Sequence, residues 1–286
     1  MLDKYMYAVA ASLLWSLNPA LISRLGKNVG PLLLTSMRAL LALLFLAPFI
    51  VLDYHELYRS LSDIRSLFII AISAILGPGI GDTAYTRAIQ SIGGSLAVVI
   101  SYTYILVAQI IAVFIINENT SLFTVIGGLI AFLGIVIASY DSNVKSMNIP
   151  GALYGALASL SWGIASAIMK YITDTADPLS ITAIRLVIVF TVFSMISFLF
   201  KRPGDISEWK QLLALSAITG ILGWGIGMYL FIYSISTIGV SATVLATALT
   251  PVLSQITVRI IAREKPRGRV IVGALTVSIG IFIASF

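Results

Sequence analysis

Long apolar stretches fill most of this sequence, and they constrain its fold more than any other feature. Windowed hydropathy separates ten of them, each close to the ~20 residues that a helix needs to cross a hydrocarbon core of ~30 Å. They cover 5–25, 31–52, 66–89, 93–116, 121–140, 149–171, 178–200, 210–236, 239–261 and 268–286. Lipid leaves no backbone polar group unsatisfied, and continuous runs of this length fit helices better than barrel strands. We therefore predict an all-α membrane protein with ten transmembrane helices.

Composition agrees with this prediction and excludes several kinds of site. Of the 286 residues, 59% are hydrophobic and 10% are charged, which is unlike a soluble domain. Cysteine is absent and His55 is the single histidine, so thiolate and histidine-cluster metal sites are excluded within one chain. The net charge of +6 comes from basic residues in the polar joints between the runs, where lipid head groups are the expected partners. We expect membrane lipids as partners, no nucleic acid, and no metal or cofactor.

The two halves of the sequence repeat each other. Trp, Arg, Gln and Glu are rare in membrane spans, yet they recur in the same order after a shift of 146 or 147 residues. The pairs are Trp15 with Trp162, Arg38 with Arg185, Gly81 with Gly227, Gly93 with Gly239, Ser95 with Ser241, Gln109 with Gln255, Glu118 with Glu264, Gly127 with Gly273 and Gly134 with Gly280. We predict two five-helix units, 1–145 and 146–286. Since each has an odd number of spans, the second enters the membrane from the opposite side, as an inverted repeat.

These paired elements resemble the EamA-like branch of the drug/metabolite transporter superfamily. The resemblance rests on a Trp in the first span, an Arg in the second, and a Glu before a Gly-rich span in each half. The first half departs from the second at Ile105, where the second half has Pro251. The resemblance implies a ten-helix exporter or exchanger of small metabolites with a central cavity, and it does not name the substrate. We expect a multi-pass protein of a prokaryotic plasma membrane.

Three ionisable residues inside the predicted spans are the first candidates for function, because charges there are costly. Arg38 and Asp82 lie ~10 Å deep from the same membrane face, at 1.5 Å per residue, and Trp15 and Asn18 fall in nearly the same layer. Such a layer could hold a zwitterionic or charged solute. The alternative is that Arg38 and Asp82 neutralise each other and only lock helices together.

Arg185, the third of these residues, has a different predicted environment. The second-half position that matches Asp82 is Met228, so Arg185 has no carboxylate in the corresponding place. It is therefore free to meet a substrate carboxylate or a helix-end carbonyl, or to extend towards the membrane interface. Asp82 is the one carboxylate in a span that could take a coupling proton, and transport without a proton stays open.

Glycine clusters occur in the third and eighth spans. Gly77 with Gly81 and Gly223 with Gly227 have the small-xxx-small spacing that lets helices approach closely. Pro78 in the first cluster could in addition unwind the helix and present carbonyls to a cavity. Glu118 and Glu264 lie at span ends, where we expect helix capping.

Aromatic and hydroxyl side chains on matching helices complete a predicted substrate site between the halves. Its candidate residues are Trp15, Asn18, Arg38, Asp82, Tyr85, Tyr104, Trp162, Arg185, Trp224 and Tyr229. No phosphate loop, nucleophile elbow or metal-ligand spacing appears, so we predict no catalytic residue and no enzyme activity.

We interpret the chain as a secondary transporter of small polar metabolites, such as amino acids, that works by alternating access around a central cavity. A sugar-phosphate or nucleotide-sugar antiporter is the main alternative, although it would want more cavity Lys or Arg. A channel or a membrane-embedded enzyme is the alternative of a different class. A homodimer stays open, and so does orientation, because the charge bias of the joints and the family resemblance disagree.

Overall fold

The structure, a computed structural model, describes residues 2–118, 121–139, 148–200, 209–265 and 268–284. Throughout these residues the regular structure is helical and contains no strand, which confirms the predicted all-α class. The helices are α1 Leu2–Trp15, α2 Leu17–Leu25, α3 Pro31–Leu52, α4 Tyr54–Ser62, α5 Ile64–Ala74, α6 Asp82–Ile92, α7 Gly94–Ser101, α8 Tyr104–Phe114, α9 Leu122–Ser139, α10 Ile149–Ile168, α11 Lys170–Thr173, α12 Pro178–Leu199, α13 Trp209–Ile218, α14 Met228–Ala246, α15 Leu249–Ile260 and α16 Gly268–Ala284. Two π-helical segments join them: the first π segment, Ile75–Gly81, and the second π segment, Thr219–Gly227.

Seven helical stretches in the described residues are long and apolar enough to cross a bilayer. They are Tyr5–Leu25, Pro31–Leu52, Ile64–Ile92, Gly94–Phe114, Ile149–Thr173, Pro178–Leu199 and Trp209–Ala246. The last stretch joins the predicted eighth span to the start of the ninth. Helices α9, α15 and α16 occupy the remaining predicted positions and are not among these seven stretches. Ten spans therefore stay a prediction, and the seven stretches indicate a chain that crosses the membrane several times.

A glycine with a left-handed backbone bends the chain at the same place in each half. Gly93 precedes α7 with φ 82°, and Gly239 bends α14 with φ 81°. Residues with a Cβ rarely adopt this conformation, so glycine is required at both positions. The bend exposes the N–H groups of the helical turn that follows.

A glutamate from the opposite half binds the N–H groups exposed at each bend. Glu118 accepts from the backbone N of Val240 and Ser241 at 2.7 and 3.0 Å. Glu264 accepts from the backbone N of Gly94 and Ser95 at 3.0 and 2.9 Å. A carboxylate at a helix start satisfies donors that have no intrahelical partner and complements the helix dipole. The predicted capping is thus observed, and it joins the two halves.

The most extensive helix packings in the described residues also join the two halves. Helix α9 packs on α16, α3 on α12, α10 on α6 and on α8, and α1 on α14. Glycines bring α9 and α16 together, because a Cβ added at Gly134 would lie 2.5 Å from the Gly273 oxygen, and one at Gly280 would lie 2.5 Å from the Gly127 oxygen. Close backbone approach of this kind drives helix association in lipid, where apolar burial does not. The halves are therefore interlocked.

Candidate functional site

A cavity of about 80 Å³ lies between the two halves, which is room for several water molecules or one small solute. Both halves supply its walls, from the α1–α2 region, the first π segment, α6 and the α7–α8 junction on one side and from α10, α12, the second π segment and α14 on the other. The lining residues are Trp15, Asn18, Gly77, Pro78, Asp82, Tyr85, Tyr102, Tyr104, Trp162, Ala165, Ser166, Arg185, Trp224, Met228 and Phe231.

The two π segments shape this cavity. The first π segment contains Pro78, which lacks the N–H that a regular turn would use, and the chain widens into a π-helix instead of unwinding. Of the two readings of this glycine cluster, unwinding at Pro78 is not observed, although Pro78 does line the cavity. The predicted close packing is observed at Gly81, where an added Cβ would lie 2.5 Å from the Trp162 ring, and at Gly227, where it would lie 2.8 Å from Trp15 Nε1.

The paired tryptophans each donate a hydrogen bond to the opposite half. Trp15 Nε1 donates to the Gly223 carbonyl at 2.8 Å, in the second π segment. Trp162 Nε1 donates to Asp82 Oδ2 at 3.1 Å, directly after the first π segment. The same residue in the two halves thus has two kinds of partner, a neutral carbonyl and a carboxylate.

Arg38 and Asp82 form a buried ion pair beside the cavity. Arg38 Nη1 lies 3.3 Å from Asp82 Oδ1, and the two side chains are 1% and 13% exposed. The Arg38 guanidinium also lies over the Trp224 ring, 4.5 Å from its centroid, in a cation–π contact. Asp82 lines the cavity, whereas Arg38 lies behind it. The positive charge of Arg38 is therefore compensated before any solute enters.

Arg185 lies in the cavity wall with weaker compensation. It is 5% exposed, and its Nη2 donates to the Ser73 carbonyl at 3.2 Å. Its Nε has no hydrogen-bond partner in the described part of the chain, and no carboxylate there forms an ion pair with it. The sequence offered a helix-end carbonyl as one partner for Arg185, and the contact with Ser73 is of this kind. The side chain is buried and does not extend towards the membrane interface.

Aromatic rings form most of the remaining wall. Tyr85, Tyr102 and Tyr104 surround Trp162 edge to face, with centroid separations of 4.9, 5.8 and 5.9 Å. The Tyr104 hydroxyl is hydrogen-bonded to the Thr247 hydroxyl. The Tyr85 hydroxyl is buried and has no partner among the described residues. The wall is thus apolar, with one unused phenolic hydroxyl.

Eight of the ten predicted site residues line the cavity. The exceptions are Arg38, which lies behind Asp82, and Tyr229, whose ring lies 6.1 Å from Tyr233 outside the cavity. Sequence reasoning did not include the lining residues Gly77, Pro78, Tyr102, Ala165, Ser166, Met228 and Phe231 among its candidates. The internal repeat could have identified Ala165 and Met228, because they are the repeat counterparts of Asn18 and Asp82. No cluster of three or more metal-ligating side chains occurs among the residues that the structure describes.

Comparison with known proteins gives a consistent picture. The model of a family described as the EamA-like transporter family matches residues 4–140 and again residues 149–286. An uncharacterized transporter of Archaeoglobus fulgidus is 25% identical over 279 residues, covering 97% of this chain and 96% of the relative. The uncharacterized transporter YoaV of Bacillus subtilis is 22% identical over 282 residues, covering 97% and 95%. One crystal structure has the same fold, with a TM-score of 0.73 at 19% identity, and covers 99% of this chain and 96% of that one.

Proposed function

Because the chain belongs to the EamA-like transporter family, within the drug/metabolite transporter superfamily, we propose that it is a secondary transporter that exports or exchanges small polar metabolites, in particular amino acids. The family match and the apolar helices indicate that the chain is a multi-pass integral membrane protein and a transporter. Its relatives are archaeal and bacterial, which supports a prokaryotic plasma membrane as its location.

The proposed architecture is ten spans in two inverted five-helix repeats, 1–145 and 146–286. The reciprocal glutamate caps support it. Glu118 caps the helical turn after Gly239, and Glu264 caps the turn after the equivalent Gly93. Such an exchange of equivalent contacts is what a two-fold axis between the halves produces.

One observation carries the proposed transport mechanism: side chains from both halves line the same cavity. A solute bound there would be released to one side or the other when the halves rock against each other, as inverted-repeat transporters do. The bonds from Trp15 to Gly223 and from Trp162 to Asp82 cross between the halves, so a rocking motion would break or remake them. We propose the predicted candidates that line the cavity as its substrate-binding residues.

A sugar-phosphate or nucleotide-sugar antiporter is less well supported. Arg185 is the only cation among the described residues that line the cavity. A phosphate dianion would want more than one such charge. We propose no catalytic role, since the described lining offers no nucleophile with an adjacent base.

The test is counterflow into proteoliposomes with a panel of radiolabelled amino acids. We expect saturable counterflow with wild-type protein, which a channel would not give. If Asp82 carries a coupling proton, Asp82→Asn would still exchange amino acids but would not concentrate them against a pH gradient. Folded protein that moves no amino acid above empty liposomes would overturn the amino-acid assignment and bring sugar phosphates forward.

A further inference from the structure

Two buried hydrogen-bond donors in the cavity wall have no partner in the part of the chain that the structure describes. They are Nε of Arg185 and the hydroxyl of Tyr85, on residues that are 5% and 4% exposed. Leaving a buried polar group unsatisfied costs ~1–3 kcal/mol, and more for a charged one. Tyr85 on α6 and Arg185 on α12 thus bring unpartnered donors to one cavity from its two sides, which indicates a missing acceptor.

The charges around the cavity define what that acceptor carries. Arg38 is neutralised by Asp82, with a bond of 3.3 Å and a cation–π contact to Trp224. Among the described lining residues, Arg185 is the one cation and Asp82 the one carboxylate. Since Asp82 is already occupied by Arg38 and Trp162, the region has one uncompensated positive charge. A buried charge without a partner is strongly destabilising, and an anion in the cavity would compensate it.

We propose that Arg185 and Tyr85 form a carboxylate subsite, so that the cargo is a small monocarboxylate whose amino group is not required for binding. The inference rests on the proposed function, because it takes the cavity as the cargo site. A guanidinium binds a carboxylate through charge-assisted hydrogen bonds, and Arg185 Nη2 is held by Ser73 so that Nε is left for the ligand.

The remainder of the cavity suits an apolar cargo body. Trp15 and Phe231 lie on one part of the wall, with ring centroids 5.2 Å apart, and Trp162 with its tyrosines lies on another. Both are apolar surfaces. No second carboxylate lines the described part of the cavity to receive an ammonium group. The site therefore selects the acid function and an apolar chain, and it treats an amino acid and the matching deaminated acid alike.

Tryptophan fluorescence of the purified full-length protein in nanodiscs measures this directly. Three of its four tryptophans line the cavity, and aliphatic ligands do not absorb in the same range. The probes are leucine, 4-methylpentanoate, leucinamide and 3-methylbutylamine, in chloride-free buffer. We expect leucine and 4-methylpentanoate to bind with affinities within about threefold of each other. We expect the amide and the amine, which lack a carboxylate, to bind at least about tenfold more weakly, as the loss of a charged hydrogen bond predicts.

Variants assign the effect to the two residues. Tyr85→Phe keeps the ring and removes the unpartnered hydroxyl. It should therefore weaken the binding of leucine and of 4-methylpentanoate by about tenfold. Arg185→Gln should abolish the preference for the acid over the amide. Arg59→Gln is the matched control, because Arg59 is exposed in α4, and it should bind all four probes as wild type does. Amine binding equal to leucine binding, no binding of 4-methylpentanoate, or wild-type carboxylate affinity in both variants would overturn the subsite.

Failure of the subsite can be told from failure of the transport proposal. Carboxylate binding that depends on Tyr85, without counterflow of any amino acid, would keep the subsite and overturn amino-acid transport. Counterflow of leucine together with equal binding of acid and amine would do the reverse.

Discussion

The two halves of this protein share their packing contacts but differ in the polar and charged residues that they bring to the cavity. In both, a tryptophan of the first span donates a hydrogen bond across the interface, and a glutamate caps a bent helix of the other half. The polar residues of the cavity differ, because Asn18 and Asp82 in the first half correspond to Ala165 and Met228 in the second. Contacts that hold the halves together recur in both halves, whereas one shared cavity needs each polar group only once.

The paired arginines show the difference most clearly. Arg38 has a carboxylate at 3.3 Å and an aromatic face, so it is part of the scaffold. Arg185 has a single carbonyl at 3.2 Å and no carboxylate partner among the described residues, so its charge is uncompensated there, whereas Nε of both arginines and Nη2 of Arg38 lack a hydrogen-bond partner. The two arginines occupy equivalent positions in the repeat, and the ion pair with Asp82 distinguishes Arg38 from Arg185 among the described residues.

Asp82→Met would break the comparison most strongly, since it gives the first half the residue of the second. Arg38 would then be buried without a counter-ion, and we expect a loss of ~3–5 kcal/mol in the free energy of unfolding. Unfolding in mixed detergent micelles would measure it. The double variant Arg38→Met/Asp82→Met removes both charges and should recover most of the loss. Arg185→Met breaks no ion pair and removes an uncompensated buried charge, so it should leave the free energy of unfolding unchanged or raise it. Equal destabilisation by Asp82→Met and Arg185→Met would show that the two arginines are equivalent.

The glutamate caps test the symmetric side of the comparison. Glu118→Ala and Glu264→Ala each remove two backbone hydrogen bonds to a carboxylate, and we expect each to cost ~1.5–3 kcal/mol by the same unfolding measurement. Glu56→Ala, at a half-buried surface residue with a long ion pair of 3.9 Å to Arg59, is the control and should be near neutral. A cost confined to one of the two caps would contradict an equivalent role in the two halves.

Sequence alone indicated the duplication, the family and most of the cavity, because Trp, Arg and Glu are conspicuous inside spans. It did not show that Glu118 and Glu264 cap the opposite half, because hydropathy does not say which helix end a side chain reaches. The same holds for Arg38, whose depth was readable but whose position behind Asp82 depends on the helix face that it occupies. The sequence also did not predict the π-helical form at Pro78, because an added residue in a turn leaves the apolar pattern nearly unchanged.

Met228→Asp would sharpen the comparison from the other side, by giving the second half the carboxylate of the first. The new charge would compensate Arg185 within the cavity, so binding of 4-methylpentanoate should fall by about tenfold, the effect of one lost charged interaction. Met228→Asn introduces a similar polar side chain without the charge and should retain most of the affinity. Fluorescence titration of the two variants with 4-methylpentanoate would measure both affinities. Wild-type affinity in Met228→Asp would show that the anion does not bind beside Arg185.

The starts of the second span in each half provide the smallest test. Helix α12 begins after Asp177, whose carboxylate accepts from the backbone N of Leu179 and Ser180 at 2.8 and 2.9 Å. Helix α3 begins after the equivalent Gly30, which has no side chain to cap it. Both continue with a proline, whose fixed φ suits the first helical position. Asp177→Gly should therefore cost only a few tenths of a kcal/mol, since glycine is itself tolerated as a cap, while Asp177→Ala should cost ~1 kcal/mol. Equal costs for the two variants would contradict this equivalence. They would show that glycine does not cap α12 as Gly30 does at the start of α3.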